Sequence, residues 1–232
     1  MRGNLERCHD GAVDRAALAQ LIDHTLLQPE ATAEDVQALC DEAVHLAVKA
    51  VCVSPSRLPL PPGVPGPGIE VAAVVGFPSG AHRPITKSAE AAQAVEDGAT
   101  EIDLVIDLAL ATVGDWAGVE DEIRTVRETV LAPIVLKVII ESALLDAGGV
   151  VAACLAAEAA GADLVKTSTG FHAAGGATVE AVAVMAQTVD GRLGVKASGG
   201  IRTAETALAM VEAGATRLGC SATSAILDGV AS

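Results

Sequence analysis

Eight short apolar runs, separated by Ala-rich segments of helical character, restrict this chain more than any other feature. The predicted strands cover residues 21–25, 50–54, 71–77, 101–106, 134–140, 163–168, 193–198 and 216–220. Helical segments lie at 32–47, 84–97, 116–130, 145–160, 177–189 and 203–213. Runs such as Ile-Val-Leu-Lys-Val-Ile-Ile at 134–140 are apolar on both faces, as parallel strands covered on both sides must be. Gly98, Gly161 and Gly214 each stand where a helix hands over to a strand, a position that favours left-handed backbone. Thr32 with Asp35, and Thr203 with Glu205, mark helix starts. The Pro- and Gly-rich stretch 59–68 reads as a surface connection between the second and third strands. Eight such units in 232 residues predict an α/β chain, a single-domain (β/α)8 TIM barrel over 1–232. Its core is expected at about 20–225, with an extra N-terminal helix. The alternative is a doubly wound open sheet. That fold ordinarily shows a G-x-G-x-x-G fingerprint, which the sequence lacks.

Into this frame the chain places three of its five lysines within apolar runs: Lys137, Lys166 and Lys196. A lysine among hydrophobic residues and other cations loses its proton more readily, and the neutral amine can attack a carbonyl. The structural alternative is a stem that snorkels along a strand with its head in water. In consecutive barrel strands Lys166 and Lys196 would lie close together, so that one lowers the pKa of the other. Removing Lys196 should then leave Lys166 protonated at neutral pH. Asp103, in another apolar run, is the candidate for moving protons, or else a salt-bridge partner of Lys137 or Lys196. Glu101 shares its parity, with Lys137 as the expected neutralising partner.

Two loops suit a phosphate. Lys-Ala-Ser-Gly-Gly-Ile-Arg-Thr at 196–203 and Gly-Cys-Ser at 219–221 each end a strand and open a helix. Loops after strands seven and eight form a frequent phosphate site of such barrels. Gly199, Gly200 and Ser221 are the candidate contacts, with Arg202 adding charge and Gly170 closing the site. Asp23, His24 and Thr25 on the first strand could bind substrate hydroxyls, although His24 reads equally as a satisfied buried histidine. Cys52 alone is more often a small core residue than a nucleophile.

Composition excludes several functions. A net charge of −15 argues against nonspecific binding to nucleic acid or anionic membrane, and requires a local positive site for any anionic substrate. Five cysteines, at 8, 40, 52, 154 and 220, lack Cys-x-x-Cys spacing and fit free thiols in a reducing, cytoplasmic setting. No run reads as a membrane helix, and the N-terminal residues lack the apolar core of a signal peptide. Five histidines without paired spacing make a metal site unexpected, and no cofactor is implied.

The motifs Leu-Ile-Asp-His-Thr-Leu-Leu, Val-Cys-Val-Ser-Pro, Val-Val-Gly-Phe-Pro-Ser-Gly, Glu-Ile-Asp-Leu-Val-Ile, Leu-Lys-Val-Ile-Ile-Glu, Val-Lys-Thr-Ser-Thr-Gly-Phe and Val-Lys-Ala-Ser-Gly-Gly-Ile-Arg-Thr follow one another from about residue 20 to 225. Together they closely resemble the deoxyribose-phosphate aldolase family. The resemblance implies a metal-free class I aldolase that reversibly cleaves 2-deoxy-D-ribose 5-phosphate to acetaldehyde and D-glyceraldehyde 3-phosphate, in deoxyribonucleotide catabolism. It implies Lys166 as the Schiff-base lysine, Lys196 as the perturber of its pKa, and Asp103 as proton donor and acceptor. Asp23, Lys137 and Thr169 would form the surrounding proton network, and Cys52 would line the pocket. Gly170, Gly199, Gly200 and Ser221 would hold the phosphate. Partners would be small sugar phosphates and aldehydes, and a homodimer is compatible with such barrels. Some members carry a C-terminal tyrosine that assists proton transfer from the enamine. This sequence holds no tyrosine, so water and Asp103 would serve, or turnover would be slower. Ala222 stands where a second serine is frequent, which would weaken phosphate affinity. The functional alternatives are a sugar-phosphate isomerase using Asp103 and Lys196 as acid and base, and a non-catalytic sugar-phosphate-binding barrel.

Overall fold

The computed structural model describes residues 13–230. A five-residue helix, α1 (Arg15–Ala19), is the extra N-terminal helix expected from sequence, and the cysteine at position 8 lies outside the described residues. Eight strands follow: β1 (Ile22–Leu26), β2 (Ala50–Val53), β3 (Glu70–Val75), β4 (Glu101–Val105), β5 (Val135–Ile139), β6 (Leu164–Lys166), β7 (Gly194–Ser198) and β8 (Arg217–Cys220). All pair in parallel and in chain order, and β8 pairs back onto β1 to close the barrel. Helices α2 (Ala33–Leu46), α3 (Pro84–Glu96), α4 (Leu108–Val113), α5 (Trp116–Arg127), α6 (Ala147–Ala159), α7 (Val179–Val189), α8 (Ala204–Glu212) and α9 (Thr223–Asp228) occupy the connections. The (β/α)8 barrel is therefore correct and the open sheet is not.

Local chemistry explains where the helices start. Thr32 and Asp35 form a reciprocal capping box at α2, and Thr203 accepts from the Thr206 N–H at α8. Asp107, Asp115, Asp146 and Thr178 cap α4, α5, α6 and α7 in the same way. The three handover glycines adopt the left-handed backbone expected of them, with φ of 102°, 84° and 110° at Gly98, Gly161 and Gly214. Helix α4 was absent from the sequence expectation. Leu-Ala-Leu-Ala-Thr-Val alternates like a strand, and the Asp107 cap overrides that pattern. Strand β6 is shorter than expected, and just beyond it Thr167 adds side-chain bonds to its backbone bonds with Lys196 and Ser142. The Thr167 hydroxyl donates to Ser198 O at 3.1 Å and accepts from Ser198 N at 3.0 Å.

Side-chain parity divides the interior in two. Val51, Val53, Ala73, Ile102, Leu104, Leu136, Val138, Val165, Val195 and Leu218 point outward and pack with the helices in the main apolar core. The inward set holds the charged groups, and on β2 and β3 Cys52, Ala72 and Val74 form a small apolar wall with Leu27 and Phe77. Burial, with Asp41 adding to it, pushes the thiol of Cys40 up to about 11, and burial, with Glu158 and Asp23 adding to it, pushes those of Cys154 and Cys220 up to about 12. These thiols stay protonated and behave as small apolar residues.

A second buried charge pair lies outside the barrel. Lys87 of α3 donates to Glu122 Oε1 and to Val105 O, both at 2.9 Å, and Glu122 Oε1 also accepts from Asp107 N at 3.0 Å. The pair ties two helices to the end of β4. Lys87→Met would strand a buried carboxylate, so we expect a loss of about 3 kcal/mol in denaturant unfolding at neutral pH.

Candidate active site

Strand register brings together residues that the sequence scatters. Asp103 and Lys137 are neighbours across β4 and β5, Lys166 and Lys196 across β6 and β7, and Lys196 and Arg217 across β7 and β8. Asp23 completes the ring from β1, opposite Gly219. Because all point inward, four cations and three carboxylates share the barrel interior: Lys137, Lys166, Lys196 and Arg217 with Asp23, Glu101 and Asp103. Only Arg217 retains appreciable exposure.

The contacts are uneven. Lys137 Nζ meets all three carboxylates, at 2.9 Å from Asp23, 2.5 Å from Glu101 and 2.8 Å from Asp103. Lys196 meets Asp23 and, at 2.7 Å, Asp103. Arg217 meets Asp23 at 2.6 Å and Glu101 at 3.1 Å. Lys166 meets one carboxylate only, Asp103 Oδ2 at 2.6 Å, and shares that oxygen with Lys196. Both oxygens of Asp103 thus meet ammonium groups, Oδ1 that of Lys137 and Oδ2 those of Lys166 and Lys196.

Proton affinities follow from these contacts. Burial lowers the Lys166 pKa below its ordinary value; Asp103 opposes the shift and Lys196 adds to it. Burial also acts against Lys196 and Lys137, but their carboxylates prevail and hold both above the usual lysine range. Burial works against ionisation of Asp103, yet Lys137, Lys166 and Lys196 overcome it and keep its carboxyl well below the ordinary range. Asp23 is held low likewise, by Lys137, Lys196 and Arg217 against burial. Among these lysines only Lys166 is moved toward the neutral amine.

Lys166 also opens on a cavity of about 220 Å³, whose far wall is Gly170, Gly199, Gly200, Arg202 and Ser221. The loops touch closely here. Gly199 has φ 89°, and a Cβ on it would lie 2.9 Å from Gly176 Cα and 3.2 Å from Gly170 Cα, so only glycine fits. Helix α8 begins just beyond, and its free N–H groups favour an anion. A roomier cavity of about 460 Å³ lies alongside. Its wall carries Glu30, Asp35 and Glu42 and no lysine, so it suits neither a phosphate nor amine chemistry.

Most expected site residues converge, with differences of detail. Thr169 lines the cavity, but its hydroxyl donates to Glu141 Oε2 at 2.7 Å and not to the charged ring. Cys52 is buried in the apolar wall, its thiol pushed up by burial and by Asp103. His24 points out of the barrel, with Nδ1 2.8 Å from Thr223 Oγ1 and Nε2 3.3 Å from Glu42, a satisfied buried histidine. Thr25, on the opposite parity, lines the cavity. Glu101 is neutralised by Lys137 as expected, and also by Arg217, which the sequence reading missed. The parity of Arg217 with Gly219 was the available signal. Glu141, also missed, is fully buried with φ 49° and accepts from the Thr169 N–H as well as its hydroxyl.

Fold and site together define a (β/α)8 barrel with a buried lysine–carboxylate ring beneath a glycine-rich cavity. The chain belongs to the DeoC/LacD family of aldolases, whose model matches residues 17–231. It is 61% identical over 220 residues to a deoxyribose-phosphate aldolase of Kocuria rhizophila, covering 94% of this chain and 99% of that one. It is also 61% identical over 214 residues to one of Corynebacterium diphtheriae, covering 92% and 97%. Among solved structures it superposes on the tetrameric deoxyribose phosphate aldolase of Aeropyrum pernix with a TM-score of 0.82. The identity there is 33%, over 94% of this chain and 93% of that one. A structure described as QR15, an aldolase, gives a TM-score of 0.85 at 35% identity over 91% and 94%.

Proposed function

We propose that this barrel is a class I aldolase that reversibly cleaves 2-deoxy-D-ribose 5-phosphate to acetaldehyde and D-glyceraldehyde 3-phosphate through an imine on Lys166. One observation carries the reading: Lys166 is the least compensated cation of the ring and the one that faces the cavity. Curated relatives named for this activity, at 61% identity over nearly their full length, support the choice of substrate.

The free amine of Lys166 attacks the C1 aldehyde, and the carbinolamine loses water to give the iminium. Asp103, ionised again once the carbinolamine water has left, takes the C3 hydroxyl proton as the iminium draws the C2–C3 electrons, and that proton is the one later given to C2. Glyceraldehyde 3-phosphate leaves, and C2 of the enamine takes a proton before water releases acetaldehyde. Asp103 touches Lys166, so it takes the lysine proton and returns one to the carbinolamine hydroxyl. Since Asp103 is ionised at rest, it acts first as acceptor and as donor only afterwards. Lys196 keeps its charge, so its role is to repel a proton from Lys166 and to hold Asp103. Asp23 and Lys137 fix these groups from below, and Thr169 shapes the cavity wall. Gly170, Gly199, Gly200 and Ser221 receive the phosphate, with Arg202 offsetting the negative field of the chain. The wall containing Cys52 faces the carbon skeleton.

A cytoplasmic setting fits the buried, free Cys40, Cys52, Cys154 and Cys220, and a place in deoxyribonucleotide catabolism fits the substrate. No helix among the described residues is long and apolar enough to cross a membrane. A homodimer is the proposed assembly.

Borohydride reduction in the presence of deoxyribose 5-phosphate, followed by peptide mass mapping, should leave a reduced adduct on Lys166. An adduct on Lys137 or Lys196 would overturn that assignment. No adduct on folded, substrate-bound protein would overturn the aldolase reading itself.

A further inference from the structure

The ring does not balance. With every group ionised it holds four cations against three carboxylates; with Lys166 neutral, three cations face three carboxylates. Solvent reaches little of the ring: Lys137, Lys196, Asp23 and Asp103 are fully buried and Glu101 nearly so, with exposure left to Arg217 and, slightly, to Lys166 at the cavity. The fourth cation is Arg217. It cannot give up its proton at any working pH, and it occupies Asp23 Oδ1 at 2.6 Å and both oxygens of Glu101 at 3.1–3.3 Å. Asp23 and Glu101 also serve Lys137 and Lys196, so without Arg217 the ring behind Lys166 would carry one positive charge fewer.

Resting on the reading of Lys166 as the imine lysine, we propose that Arg217 is a positioning residue which, with Glu101, sets the pH at which Lys166 becomes a nucleophile. It lies below the reacting centre and is absent from the cavity wall, so it acts only through Asp23 and Glu101. The titratable groups that act on Lys166 directly are Asp103 from β4, Lys196 from β7 and Cys52 from β2, and Asp23 from β1, Glu101 from β4, Lys137 from β5 and Arg217 from β8 complete the ring behind them. Strand β3 contributes Ala72 and Val74, while its Glu70 pairs with the half-exposed Lys49 at the opposite end.

The sign of the effect is fixed by which partner is removed. Arg217→Met leaves three carboxylates against two permanent cations, which favours the protonated amine and raises the Lys166 pKa. Glu101→Gln leaves two carboxylates against three permanent cations and lowers it. A unit charge a few side chains away in a protein interior moves a pKa by on the order of one unit.

The test is the pH dependence of acetaldehyde trapping on Lys166 with cyanoborohydride, quantified by peptide mass mapping, in wild type and four variants. The midpoint should rise by about one unit in Arg217→Met and fall by a similar amount in Glu101→Gln. Arg217→Lys should keep the wild-type midpoint, and the double variant Arg217→Met with Glu101→Gln should return close to it. A merely structural role would lower the amount of folded protein without moving midpoints in opposite directions. An unchanged midpoint in folded Arg217→Met, or shifts of the same sign in both single variants, would overturn the proposal. Should Arg217→Met fail to fold, Glu101→Gln and the charge-balanced double variant decide by the same criteria. Wild type that never traps acetaldehyde on Lys166 would instead defeat the imine reading, a separate outcome.

Discussion

Lys166→Met should yield a protein that is inactive and yet more resistant to denaturation. Without the amine no imine forms, and the remaining groups have no covalent route, so cleavage should fall by at least ~10⁴-fold. Stability should move the other way. Burial holds the Lys166 pKa below its ordinary 10.5, so the unfolded chain binds the proton more tightly than the folded one. The native state therefore carries a penalty below the folded pKa, which fades as pH rises toward 10.5. Methionine fills a similar volume without that penalty, and Asp103 keeps Lys137 and Lys196 as partners. Urea unfolding of the two proteins at several pH values checks this. The variant should gain most near neutrality and least at alkaline pH, and equal stability throughout would contradict the shift assigned to Lys166.

Asp103→Asn should damage both properties. Asp103 contacts Lys137, Lys166 and Lys196, and an amide in its place gives three buried ammonium groups one fewer carboxylate to share. Removing a partner from a buried ionic cluster typically costs about 3–5 kcal/mol. Release of the Lys166 proton would relieve part of that cost. The loss of proton transfer should slow turnover by roughly 10²–10⁴-fold. Imine trapping should nonetheless remain detectable, because Lys166 would stay neutral. Measuring trapped adduct alongside steady-state cleavage separates the two steps. Full loss of trapping in folded protein would mean that Asp103 is needed for the amine to attack at all.

The sequence disclosed the barrel because parallel strands must be apolar on both faces, and each such run stands out between alanine-rich helices. It disclosed Lys137, Lys166, Lys196 and Asp103 for the same reason: a charge inside an apolar run has no ordinary purpose. Where the context is mixed, the signal fails. Arg217 begins a short strand next to Thr216, where arginine reads as a solvent-facing end. Only closure against β1 shows that it points inward. Lys87 and Glu122 lie in helices full of charge, 35 residues apart, and nothing local says that they meet. Thr169 was placed in the proton network, but the position of its partner Glu141 depends on a left-handed turn after β5 that no glycine announces.

The ring also bears on how such a chain comes to be active. Its bonds join residues remote along the polypeptide: 63 positions separate Lys166 from Asp103, 114 separate Lys137 from Asp23, and 194 separate Arg217 from Asp23. No early-formed fragment owns the whole of it: Lys137 meets Glu101 and Asp103 across neighbouring strands, but Asp23 finds Lys137, Lys196 and Arg217 only on strands added much later. An open intermediate would hold those ions in water, and burying them becomes favourable only when the last strand docks on the first. Catalytic competence and the final topological step are thus one event, and activity reports the completed fold.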